Sequence, residues 1–335
     1  MNSMDKFGFI VHPIDIKQLK ESWPALKFLP PVFIRLLLKY CPPFMASKIK
    51  GVRSPTGREI EGYFIACPLL PEQMVKLDEN FVVKKIIQAC RIAEKSGARI
   101  IGLGGYTSVV GDKGLTIAKN LSIPVTTGNS LTAWAVIEAI LQTAKKQNKD
   151  LAKSTLAIIG ASGSIGSLCA RKLSRYFSHI VITARHRDKL EGLKQEISKD
   201  NPANITIEDN VHAAVKLADI LVITTSSPQA LLNTAELKSG AIVCDVSIPK
   251  NIYGKDNPRS DVTIIPGGLI KLPGNVGLGV NIFLPPNVVY GCVAETMLLT
   301  LEGLFESYSL GDKIPLQQLD RIHELAVKHG LTVWM

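Results

Sequence analysis

The sequence predicts an α/β protein, in which a doubly wound parallel sheet is joined to an N-terminal α/β domain completed by C-terminal helices. Three observations predict it. Ser154 to Leu173 (STLAIIGASGSIGSLCARKL) reads as a buried strand, a glycine turn and a helix. Downstream, short apolar runs at Ala218 to Thr225, Ala241 to Val246 and Val262 to Ile265 alternate with helical stretches, as parallel strands covered on both faces do. Beyond Pro286 the pattern is helical only, over Cys292 to Tyr308 and Leu316 to His329. The expected domains are 1–130, then 131–285 with its connecting helix, then 286–335 packing back on the first.

In chain order, Lys6 to His12 is a short first strand. Leu26 to Tyr40 (LKFLPPVFIRLLLKY) is apolar, broken by Pro30 and Pro31 and punctuated by Lys27, Arg35 and Lys39. It is too short and too charged to span a bilayer. It suits a basic amphipathic segment lying on a membrane surface or lining an apolar groove, and equally an ordinary helix on the core. Ser54-Pro55-Thr56-Gly57 has turn composition, and Tyr63 to Cys67 is strand-like. Within Val82 to Lys95, the residues Val82, Ile86, Ala89, Cys90 and Ala93 share a helical face. Arg99 to Leu103 is a strand entering Gly104-Gly105-Tyr106-Thr107-Ser108. Ile123 to Thr127 is another, entering Gly128-Asn129-Ser130, where Asn129 or Ser130 caps a helix with a stripe of Leu131, Trp134, Ile137, Leu141 and Ala144. Loops after strands are where open α/β sheets hold ligands, which makes Gly104, Gly105, Thr127 and Asn129 candidate substrate contacts. Tight turns would have the same composition.

The glycine turn carries chemistry. Gly160, Gly163 and Gly166 stand in a GxxGxxG spacing between strand and helix. In such a unit the first glycine permits the turn, the second lets backbone approach a pyrophosphate and the third lets helix pack on strand. The backbone of Ser162, Ser164 and Ile165 then faces the phosphates at the positive end of the helix. This is the pattern of a Rossmann dinucleotide site, to which the strand end at Thr225 and Ser226 also contributes. After the next strand, His179 to Thr183, an NAD site places an acid on the ribose 2′-hydroxyl. Here the chain reads Ala184-Arg185-His186-Arg187-Asp188-Lys189. Arg185, assisted by Arg187 or Lys189, suits a 2′-phosphate, so the expected cofactor is NADPH. A solvated basic turn is the plain alternative.

Composition sets the limits. The chain has 335 residues, is 46% hydrophobic and 20% charged, and carries a formal net charge of +10. That charge favours an acidic partner, either an acidic protein or an anionic membrane surface. Without an RNA-binding aromatic signature or a clustered basic tail, nucleic acid is not expected. The six cysteines show no CxxC pair and read as reduced cytosolic thiols, neither a disulfide frame nor a metal site. The N-terminal stretch lacks a signal-peptide profile, so a cytoplasmic location is expected.

Cys292 differs from the other five thiols. It follows Pro285-Pro286-Asn287-Val288-Val289-Tyr290-Gly291 where a helix begins, with Met297, Leu298, Leu301 and Phe305 as that helix's apolar face. First-turn N–H groups and the helix dipole lower a thiol's pKa and can hold an oxyanion, whereas nearby Glu295 acts in the opposite sense. A buried, inert filler thiol is the alternative.

The chain resembles the cyanobacterial long-chain fatty acyl-[acyl carrier protein] reductases over nearly its whole length. The likeness is densest at Leu103-Gly104-Gly105-Tyr106-Thr107-Ser108, Thr126-Thr127-Gly128-Asn129-Ser130, Gly160 to Gly166 and Cys292-Val293-Ala294-Glu295. It departs over Trp23 to Lys50. Val246-Ser247-Ile248-Pro249-Lys250 more remotely resembles the nucleotide domains of glutamyl-tRNA reductase and shikimate dehydrogenase. The resemblance implies that Cys292 carries an acyl group taken from acyl carrier protein or acyl-CoA, and that the product is a fatty aldehyde. It also makes 1–130 the acyl-binding domain. The rival expectations are a shikimate-dehydrogenase-like oxidoreductase acting directly on a small alcohol or ketone, and a non-catalytic NADPH-binding regulator. His12, His323 and His329 are the candidate proton donors.

Overall fold

The computed structural model describes residues 4–225, 232–248, 250–253 and 259–335. The chain divides into two units. One comprises Met1–Gly128, Ile270–Lys313 and Arg321–Thr332, and the other Asn129–Leu269, Ile314–Asp320 and Val333–Met335. Residues 270–285, expected with the nucleotide sheet, therefore lie in the first unit.

The first unit is built on a five-stranded sheet. Its central strand β1 (Lys6–Val11) lies parallel to β3 (Glu59–Ala66) on one side and to β4 (Ile100–Leu103) on the other. An antiparallel strand, β2 (Phe44–Arg53), borders β3, and the two-residue β5 (Val125–Thr126) borders β4 in parallel. The Ser54-Pro55-Thr56-Gly57 turn joins β2 to β3, closed by Ser54 N–H donating to Arg58 O at 2.9 Å.

Two N-terminal helices, α1 (Ile16–Ser22) and α2 (Pro31–Tyr40), cross between β1 and β2. Pro31 sits at the first turn of α2, where its missing N–H costs nothing. After the short α3 (Pro71–Lys76), helix α4 (Glu79–Lys95) is capped by Asp78, which accepts from Phe81 N–H at 2.9 Å. Val82, Ile86, Ala89, Cys90 and Ala93 are fully buried, so the sequence stripe is the one that packs on the sheet.

The short α5 (Leu115–Lys119) precedes β5, and α6 (Asn129–Lys146) opens the second unit. This helix is buried all round over Ser130–Ile137, rather than on the single stripe its sequence suggests.

The second unit holds a six-stranded parallel sheet: β6 (Thr155–Ile159), β7 (His179–Thr183), β8 (Asn204–Ile207), β9 (Ile220–Ile223), β11 (Ile242–Asp245) and β13 (Thr263–Pro266). The two-residue strands β10 (Leu232–Asn233) and β12 (Ile252–Tyr253) pair with each other outside it. Across the main sheet the order is β13-β11-β9-β6-β7-β8. Counted from the first strand of the sheet this is 3-2-1-4-5-6 read from the other edge, the order of a dinucleotide-binding doubly wound fold, with its switch point beside β6. Helices α7 (Ser164–Leu173), α8 (Arg187–Asp200) and α9 (Val211–Leu217) are the crossovers.

The helix beginning at Cys292 is shorter than its sequence suggests. α10 spans Gly291–Glu302 and stops at Gly303, which adopts the left-handed conformation (φ 77°) that ends helices. Residues 303–309 instead return to β5, with Tyr308 N–H donating to Val125 O at 3.0 Å. The final helix, α11, runs Leu316–Lys328. Among the described residues, no helix is long and apolar enough to cross a membrane.

Candidate active site

The glycine turn of the second unit follows β6 directly. Gly160 takes φ 86°, and its N–H donates to Thr183 O at 2.8 Å, which links the ends of β6 and β7. A Cβ at Gly166 would stand 2.5 Å from Gly160 O and 2.7 Å from Thr224 Oγ1, so only glycine lets α7 approach the strand ends. Gly163 is different. A Cβ there would meet only Gly160 O, at 3.3 Å, which leaves that side of the turn open at the positive end of α7. A tight first and third glycine around an open second one fits a pyrophosphate.

Ser162 and Ile165 are half-buried on this turn, whereas Ser164 is buried. Thr225 ends the strand side of the site, its N only 3.0 Å from where a Gly160 Cβ would lie. Ser226 lies outside the described residues.

Past β7, Arg185 is exposed and has no ion-pair partner among the described residues. Arg187 is ion-paired to Asp209 and, at 3.7 Å, to Glu191. Of the two arginines, Arg187 is thus engaged with acids and Arg185 is not, among the described residues. The cofactor of this domain is NADPH.

The second cluster lies wholly in the first unit. Gly291 and Cys292 open α10 directly after the short strand Val288–Tyr290. A Cβ on Gly128 would fall 2.1 Å from Cys292 Cα and 2.4 Å from its Cβ, so the β5 loop presses its bare backbone onto the cysteine. Gly128 also holds φ 76°, which a side chain would strain.

Burial raises the Cys292 thiol to about 11, and Glu295 acts in the same direction. The backbone amides of Val293, Cys292 and Gly105 act in the opposite sense. The helix start therefore does not leave a resting thiolate, as its sequence position suggests. Desolvation outweighs the N–H groups.

Two loops hold this arrangement. Glu295 is fully buried and accepts from Thr126 Oγ1, which itself accepts from Gly128 N–H at 3.2 Å. Thr127 is buried and donates its hydroxyl to Ser309 O. Glu295 and Thr126 are the residues whose placing sequence reasoning missed, although both lie inside motifs it singled out. Gly104 and Gly105 lead into the 3-10 turn Gly105–Ser108, closed by Thr107 Oγ1 donating to Gly104 O at 2.8 Å and Ser108 Oγ to Gly105 O at 2.7 Å. Asn129 is the first residue of α6 and belongs to the other unit.

None of the three candidate histidines is set up as a proton donor. His12 Nε2 accepts from Tyr106 N–H at 2.9 Å, which leaves the proton on Nδ1, 3.0 Å from Pro13 O. Burial lowers its pKa and keeps the ring neutral. Its place is to hold the Gly105–Tyr106 backbone. His329 is fully buried, bonded through Nδ1 to Ser54 Oγ and through Nε2 to Glu302, each at 2.8 Å. His323 is exposed on α11.

The profile of the shikimate / quinate 5-dehydrogenase family matches residues 142–265. These residues form a shikimate-dehydrogenase-like NAD(P)-binding domain. The chain is 30% identical to the aminotransferase PigE of Serratia sp. over 98% of its own length and 40% of that protein's. It therefore spans two fifths of that relative. It is 28% identical to the long-chain acyl-[acyl-carrier-protein] reductase of Synechococcus elongatus, over 86% of this chain and 87% of that one. It is 26% identical to the glutamyl-tRNA reductase of Aquifex aeolicus, over 52% of this chain and 43% of that one.

Proposed function

We propose that the protein is an NADPH-dependent reductase that converts a fatty acyl thioester to a fatty aldehyde through an acyl group carried on Cys292. One observation carries the reading. The thiol sits in the first turn of α10, with the bare backbone of the loop after β5 pressed against its Cα and Cβ at Gly128. The likeness to an acyl-[acyl-carrier-protein] reductase along nearly the full length of both chains supports the same chemistry.

Cys292 Sγ attacks the thioester carbonyl, its proton passes to the departing carrier thiol, and the acyl group remains on sulfur. A thiolate of high pKa is the stronger nucleophile once formed, so the buried thiol suits capture of an acyl group better than resting reactivity. The N–H of Gly105 and the first-turn amides stabilise negative charge on the carbonyl oxygen as it develops. Gly160, Gly163, Gly166 and Arg185 hold NADPH, which when bound supplies the hydride for reduction. Cleavage of the carbon–sulfur bond then frees the aldehyde and the Cys292 thiolate, which takes a proton from water to return the thiol. Acyl carrier protein and acyl-CoA are the two carriers that fit, and the net charge of +10 favours the acidic protein.

The test is incubation with acyl thioester in the absence of NADPH, followed by intact-mass measurement and peptide mapping. One acyl adduct on Cys292 is expected. Cys292→Ala should lose both adduct and aldehyde while still binding NADPH. An active Cys292→Ala variant would bring forward direct reduction of a small ketone on the same nucleotide domain.

A further inference from the structure

We infer that the segment from Trp23 to Tyr40 is an anionic-membrane docking surface. Within it α2 buries a narrow face and exposes a wide apolar one. Ile34 and Leu38 are buried with Leu26 and Leu70 in a small core of their own. On the opposite side Phe33, Leu36, Leu37 and Tyr40 follow the i, i+3, i+4, i+7 spacing of one helical face and are 59%, 52%, 50% and 70% exposed. Val32 is 71% exposed and Phe28, in the preceding turn, 91%. So large an apolar face is not a feature of an ordinary soluble surface.

The helix cannot roll to hide this face. Buried Lys85 donates to Leu38 O and Lys39 O, both at 2.8 Å, Gln73 Nε2 donates to Arg35 O at 2.9 Å, and Arg35 Nε pairs with Glu72 at 2.6 Å.

Charge and side-chain type select the occupant. Residues 15–40 carry Lys17, Lys20, Lys27, Arg35 and Lys39 against Asp15 and Glu21, a basic excess that two copies meeting here would oppose to itself and that anionic headgroups complement. Phe28 projects far enough to insert between headgroups. Half-exposed Trp23 and exposed Tyr40 flank it as the amphipathic rings that sit at headgroup level. Lysine stems can lie along the apolar surface with their ammonium groups raised toward lipid phosphates.

The full chain should co-sediment with vesicles of equal parts phosphatidylglycerol and phosphatidylcholine, and much less with phosphatidylcholine alone. Trp23 emission should shift to the blue on binding. Phe28→Glu with Leu36→Glu should abolish sedimentation, and each of Lys27→Glu and Lys39→Glu should weaken it by roughly fivefold. All these positions are on the surface, and an unchanged denaturant-unfolding profile confirms that each variant is folded. Equal binding to neutral vesicles, or none to anionic ones, would overturn the inference. So would a dimer in size-exclusion chromatography that the Phe28→Glu, Leu36→Glu variant dissolves, or carrier-protein binding lost in that variant without any vesicle binding by the parent chain.

Discussion

Alkylation of Cys292 by iodoacetamide should be slow at neutral pH and climb about tenfold per pH unit to near pH 10, because only the thiolate reacts. The thiol moves from an ordinary 9.0 to about 11, with burial as the main cause and Glu295 a further one. Two pH units mean roughly a hundredfold less thiolate at pH 7 than for an unperturbed thiol, since each unit is a factor of ten. Glu295→Gln removes the acidic contribution and keeps an oxygen to accept from Thr126. Its profile should move to lower pH without reaching that of an exposed thiol, because the burial remains. The assay is a pH series of timed alkylation, quenched and mapped by peptide, with half-buried Cys41 as an internal comparison. Alkylation of Cys292 that levels off below pH 8 in the unmodified protein would show a resting thiolate and refute this electrostatic account. So would a Glu295→Gln profile displaced upward.

Three further outcomes are expected. Arg185→Asp should reverse or flatten the preference for NADPH over NADH in initial-rate measurements, since Arg187 is already paired with Asp209 and Glu191. Gly128→Ala places a methyl group 2.1 Å from Cys292 Cα at a φ of 76°. It should lower thermal stability by about 1–2 kcal/mol from the left-handed strain alone and reduce acyl-adduct formation by displacing the cysteine, with NADPH binding kept. His329→Ala removes a fully buried imidazole bonded to Ser54 and Glu302, which keep Thr56 and Lys328, and should cost about 1–2 kcal/mol in denaturant unfolding, without changing cofactor preference.

Much of the nucleotide half was legible because its signals are local. Leu156, Ile158 and Ile159, three spaced glycines and the basic residues after β7 lie within one strand-turn-helix-strand unit, although Gly160 and Gly166 also pack on distant Thr224. The short β8 (NITI) was missed because four residues of mixed polarity carry little periodicity. The end of α10 was misplaced for a different reason. Leu304 and Phe305 continue an apolar helical pattern, but Gly303 turns the chain and Tyr308 pairs beside Thr126, a contact made across 182 residues of sequence. The thiol's pKa was misjudged because helix position is visible in sequence whereas burial is not.

In the motifs after β4 and β5 the structure shows contacts with the chain itself. From sequence, Gly104, Gly105 and Thr127 read as substrate contacts because they follow parallel strands. In the structure their contacts are first with the chain itself. Thr127 gives its hydroxyl to Ser309, Thr126 gives its own to buried Glu295, and Gly128 lies on the cysteine's backbone. Gly105, at φ 53°, lies against His12, whose Nε2 is only 2.5 Å from where a Gly105 Cβ would be. A side chain at Gly128 would displace the thiol, and one at Gly105 would displace His12. The two loops therefore act as the mould of the cysteine, and that close packing accounts for glycine at position 128 and beside His12 at position 105.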